Sequence, residues 1–117
     1  MVPVYSTGVT MSTANQIEGD IVGYRHNQRK AEALRRLQNS SDYQLVVGEY
    51  LHDEAIRLVQ CMYTCTDDPS LLVLNRKLSA ISHFKGYLDQ LILKGDAATV
   101  DILHAENELA EVRAGDL

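Results

Sequence analysis

The sequence has 117 residues, of which 45% are hydrophobic and 23% charged, with seven Gly, two Pro and two Cys. That length suffices for one ordinary domain, and the composition excludes wholesale disorder, a collagen-like repeat and a disulfide scaffold. A formal charge of −5, from 11 basic and 16 acidic side chains, argues against indiscriminate binding to polyanions.

The chain opens without a basic segment leading into an apolar run, so no secretory signal is expected. Leu71-Leu72-Val73-Leu74 is among the longest apolar runs, far short of a membrane span. Residues 1–23 are rich in Val, Thr, Ser and Gly, with no charged side chain before Glu18. This composition predicts an extended arm that orders on a partner. Met11, followed by Ser-Thr-Ala-Asn, reads as an alternative start.

From about residue 25 to 38, Ala31, Leu34 and Leu37 make a short helical stripe. On the other side, Arg25, Arg29 and Arg36 fall within about 40° of one another, forming a basic edge that is the candidate contact to a partner or to phosphates. Ser41 with Gln44 reads as a capping box opening a second helix over about 42–65. Its apolar face carries Val47, Leu51, Ala55, Leu58, Val59 and Met62, with Gly48 as an interior weak point. Asp68 as N-cap and Pro69 at the first helical position predict a third helix. Leu71, Leu74, Leu78, Ile81, Leu88 and Ile92 form its seam, of the kind found in a helix hairpin. Lys94 and Gly95 read as its C-terminal stop, and Asp96 as the cap of a fourth, acidic helix reaching about residue 113. The expected fold is all-α: an arm over 1–23, then a helical domain over 24–117 in which a short basic helix precedes a three-helix antiparallel bundle.

Candidate chemistry is sparse. Cys61 and Cys65 lie four apart and read as reduced, partly buried thiols, and His26, His52, His83 and His104 are scattered. No phosphate loop, dinucleotide fingerprint, nucleophile elbow or paired Cys-x-x-Cys occurs, so neither enzyme activity nor a metal or other cofactor is expected. The basic first helix and the acidic stretch 96–117 read as solvated faces or as complementary fields for head-to-tail or partner docking.

A resemblance adds a direction. The stretch Ala33-Leu34-Arg35-Arg36-Leu37-Gln38-Asn39-Ser40-Ser41-Asp42-Tyr43 continues to Gly48-Glu49-Tyr50-Leu51-His52-Asp53-Glu54-Ala55-Ile56-Arg57-Leu58-Val59. With Ala80-Ile81-Ser82-His83-Phe84-Lys85-Gly86-Tyr87-Leu88, it resembles small helical proteins of tailed bacteriophages encoded among virion-structure and DNA-packaging functions. The resemblance implies a non-enzymatic virion structural or assembly component near the portal or inside the head. Its partners would be other virion proteins or further copies of itself, and its location the virion, or the host cytoplasm during assembly. The alternatives are a small infection-stage inhibitor of a host enzyme and a DNA-contacting assembly factor. The resemblance assigns no site residues.

Overall fold

The computed structural model describes the backbone of residues 5–115 and the side chains of residues 13–115. The described residues are almost wholly helical, with no strand among them. Helix α1 spans Tyr5–Gln38, followed by a short α2 (Ser41–Tyr43), two π-helical segments (Gln44–Gly48 and Tyr50–Glu54), α3 (Ala55–Tyr63) and a 48-residue α4 (Asp68–Gly115).

The all-α expectation holds, but three local expectations do not. The extended arm is replaced by helix from Tyr5 onward, so the basic stretch is the last third of a 34-residue helix and not a short helix of its own. Residues 1–4 lie outside the described residues. The stop at Gly95 is absent as well, because α4 runs through Lys94-Gly95-Asp96 without a break. Both caps are shifted by one residue. Ser40 Oγ accepts from the Tyr43 N–H at 3.4 Å, while the Gln44 side chain turns back to donate to the Gln38 carbonyl at 2.6 Å. Asp67 Oδ2, not Asp68, accepts from the Ser70 N–H at 2.9 Å, and Asp68 is the first residue of α4.

The chain divides into two compact units, Met1–Glu32 with Leu93–Leu117, and Ala33–Ile92. In the first, α1 and α4 run antiparallel. Arg113 Nη2 donates to Glu18 Oε1 at 2.9 Å, Arg25 Nη2 to Glu106 Oε2 at 3.4 Å, and Gln28 Nε2 to Thr99 Oγ1 at 3.1 Å. Partner numbers on α4 thus fall as those on α1 rise. The inward positions repeat in strict alternation of three and four: Ala14, Ile17, Ile21, Tyr24, Gln28 and Ala31 on α1, and Gly95, Ala98, Ile102, Ala105, Leu109 and Val112 on α4. This is the 3.5-residue repeat of a coiled-coil seam. Ile17, Ile21, Ala105 and Leu109 form its buried cluster, with Ala14, Tyr24 and Val112 packed against them.

In the second unit the buried side chains are Leu34, Leu58, Ile81 and Leu88. Val47, Leu51 and Ala55, each four residues apart, are half-buried and lead into Leu58 and Met62. Two successive steps of four drift by about 80° on a 3.6-residue helix, whereas wider turns hold them on one face. The π-helical stretch supplies those turns, with the Glu49 N–H reaching back to the Gln44 carbonyl. Gly48 therefore marks a wide turn and no helix crossing: a Cβ there would meet only Gln44 of its own helix, at 3.1 Å from Oε1.

Candidate interaction surface

The basic edge is built from α1. Arg25, Arg29 and Arg36 are all exposed. Arg25 pairs with Glu106, and both side chains remain about half exposed, which limits the pair to about 0.2–1 kcal/mol. The basic and acidic ends of the sequence therefore meet in part inside the first unit. Beside them runs a groove of about 470 Å³. Ile21 and Leu109 floor it, exposed Val22 and Ala110 flank it, and the Arg25–Glu106 and Glu18–Arg113 pairs border it.

Of the seam residues, Ile81 and Leu88 are buried, and Leu71, Leu74, Leu78 and Ile92 are half-buried. All six belong to the second unit. Val59, expected on the apolar face of its helix, is 39% exposed and lines a small apolar groove with Ala55, Ile56 and Gln60. Nearby, Arg57 holds Glu54 through two charge-assisted hydrogen bonds of 2.5 and 2.7 Å, which keep the Glu54 carboxyl below its ordinary pKa. The two thiols are half-buried and unbridged. Cys61 lies 3.8 Å from Arg57 Nη1, and Cys65 stands beyond the end of α3. All four histidines are exposed, with His52 Nδ1 2.8 Å from Asp53 Oδ1. No group of three or more metal-ligating side chains occurs among the described residues.

The periodicity of the seam did not single out two further faces of α4. In the second unit, Val73, Phe84 and Tyr87 are exposed and, with Arg76 and Lys77, fall within an arc of about 100° to one side of the seam. In the first, Leu93, Val100 and Leu103 are 52–59% exposed and fall, with Asp96 and Glu111, within about 80° on the side away from Ala98 and Leu109. Spacings of 11 and 3 in one set, and 7 and 3 in the other, were the signal available in the sequence. No helix of the described residues is long and apolar enough to cross a membrane. No protein-family model, curated protein or solved structure matches the chain.

Proposed function

We propose that this chain is a non-enzymatic structural or assembly protein that works by presenting helical faces to other proteins, and that it belongs to the virion of a tailed bacteriophage. One observation carries the contact-making part. Among the described residues, fifteen large apolar side chains are exposed while ten hydrophobic residues are buried. Such side chains gain most from water exclusion when another surface covers them. The phage assignment rests on the resemblance of residues 33–59 and 80–88 to small virion and packaging proteins. Placement near the portal or inside the head follows from it.

Quantitative mass spectrometry of purified particles tests the assignment. A fixed copy number per particle is expected. Abundance in infected cells with absence from particles would overturn it in favour of an infection-stage regulator. The DNA-contacting reading draws on Arg29 and Arg36, exposed on α1, with Arg25 partly engaged by Glu106. Retention on DNA that falls steeply with salt would favour that reading.

A further inference from the structure

We infer that the groove between α1 and α4 is a two-fold dimer interface, on which a second copy of the chain seats the same face. The inference rests on the contact-making reading above and names the partner. Residues 18–25 and 106–113 repeat one pattern: Glu18, Ile21, Val22 and Arg25 on α1 match Glu106, Leu109, Ala110 and Arg113 on α4 at identical spacing. Because the helices run antiparallel, each Glu lies beside the Arg of the other segment, at 2.9 Å for Glu18–Arg113 and 3.4 Å for Arg25–Glu106. The repeat therefore frames the groove, with apolar residues at its middle and an ion pair at each end.

This face is its own complement. Along both helices the order is Glu, two apolar residues, Arg, with the charges about 10 Å apart at 1.5 Å per residue. A two-fold axis that crosses α1 between Ile21 and Val22, and α4 between Leu109 and Ala110, exchanges the Glu and Arg positions on each helix. In a face-to-face pair, Glu18 of one copy then lies against Arg25 of the other, Glu106 against Arg113, and Val22 against Val22. The four charges sum to zero and alternate in both directions, so a uniformly acidic or basic partner gains nothing from them. Their side chains stay 50–59% exposed within the pairs. A guanidinium carries five N–H donors and a carboxylate two acceptor oxygens, so a pair joined through one nitrogen and one oxygen has room for a second partner.

The direction of the axis follows from connectivity. The chain leaves this unit after Glu32 and re-enters it at Leu93, both at the end where Ala31 meets Gly95. An axis across the helices points those ends of the two copies in opposite directions, whereas an axis along the helices would bring them together. Two helices side by side present a face about 20 Å wide, and an overlap of about 20 Å in length buries on the order of 1,000 Å² in total, the lower limit for a specific interface. Dimerisation is accordingly concentration-dependent. Being isologous, the contact closes at two copies.

Sedimentation velocity of the full-length protein over a range of concentrations tests this, with circular dichroism confirming that each variant is helical. The wild-type protein is expected to pass from monomer to dimer as concentration rises. Reversing one pair, Glu18→Arg with Arg113→Glu, keeps an ion pair within the chain but sets Arg against Arg and Glu against Glu across the dimer. It should weaken association at least tenfold. Reversing the second pair as well, Arg25→Glu with Glu106→Arg, should restore association, a recovery that a purely structural role of either pair would not give. Val22→Arg, at a position 65% exposed in the single chain, should also weaken association at least tenfold. A protein that stays monomeric throughout overturns the inference. So does a dimer indifferent to Val22→Arg or to the single reversal, or one that the double reversal fails to restore. Particle composition is read separately, so failure here is distinguishable from failure of the virion assignment.

Discussion

Gly95 on α4 packs so closely against Ala31 on α1 that any side chain at 95 would overlap the Ala31 Cβ and lie 3.1 Å from the Asn27 carbonyl oxygen. Small residues cluster at this end of the pair, with Ala31 and Ala98 both buried, while Ile17, Ile21 and Leu109 fill the other end. The glycine is thus a packing residue inside a helix. Gly95→Ala should destabilise the protein by about 1–3 kcal/mol through overpacking, although alanine is the better helix former. Gly86 on the same helix has open space around it, and Gly86→Ala should stabilise by roughly 0.5–1 kcal/mol. Urea denaturation of the two variants checks this; shifts of the same sign would remove the close crossing.

The same glycine shows where local and long-range signals part. Lys94-Gly95-Asp96 carries every local mark of a helix end and a new beginning. The alternation of three and four continues through it, from Leu88 and Leu91 to Gly95, Ala98 and Ile102, and packing against α1 decides for one helix. The first 23 residues fail for the converse reason. Their Val, Thr, Ser and Gly content favours extended backbone, yet Ala14, Ile17, Ile21 and Tyr24 repeat at helical spacing, and burial against Leu109 overrides propensity. The helical character of 25–38, 42–63 and 69–94 was legible from their apolar stripes, but the length of α1 and α4 was not, because a stripe marks a helix without marking its ends. The exposed faces of α4 were not, since an apolar stripe read from sequence does not say whether the chain itself covers it.

At the start of α4, hydrogen bonds from the Ser70 hydroxyl and from the Ser70 N–H, the latter at 2.9 Å, lower the pKa of the Asp67 carboxyl below its ordinary value of 3.8. Asp67→Ala should lower the melting temperature by a few degrees through the lost cap, while Asp68→Ala should change stability by less than about 0.5 kcal/mol. The pH dependence follows from the sign of the shift. A carboxyl depressed in the folded state contributes its stabilisation fully above the ordinary aspartate pKa and loses it as pH falls through the folded value. The difference in melting temperature between wild type and Asp67→Ala should therefore be constant near neutrality and shrink in acid below about pH 3.8. Equal effects of the two alanine substitutions would place the helix start elsewhere.

In the second unit, Leu58 is 1% exposed and Ile81 3%, whereas Leu72 is 50% exposed. Truncating a buried Leu or Ile removes its transfer free energy and leaves a cavity that neighbours fill only in part, so Leu58→Ala and Ile81→Ala should each cost about 2–5 kcal/mol. Leu72→Ala should fall within about 0.5 kcal/mol. Leu78, half-buried, should lie between. Denaturation midpoints measured at low protein concentration keep self-association out of the comparison; a cost at Leu72 as large as at Ile81 would mean that the exposed face is covered in solution.

The last prediction concerns the N-terminal segment, for which extended and helical backbone give opposite results. An uncharged extended arm contributes little to a body it does not join, so its removal would leave the helical signal of the remainder unchanged. In the structure, deletion of residues 1–23 removes Ile17 and Ile21, half of the buried cluster, and with them the cover of Ala105 and Leu109. The last turns of α4 then keep Tyr24 as their one described apolar neighbour from α1 in that cluster. An isolated helix end of that length is marginal in water, because most helical stability in proteins comes from packing of the apolar face. Circular dichroism of the truncated protein should show more helix lost than the 23 deleted residues carried. Amide exchange over residues 100–115 should accelerate, while exchange around Leu58 and Ile81, in the other unit, should change far less. Removing residues 1–12 alone spares every described member of the cluster and should leave exchange around Leu109 far less affected than deletion of 1–23 does. Unchanged protection at Leu109 after deletion of 1–23 would mean that the helix pair does not form in solution.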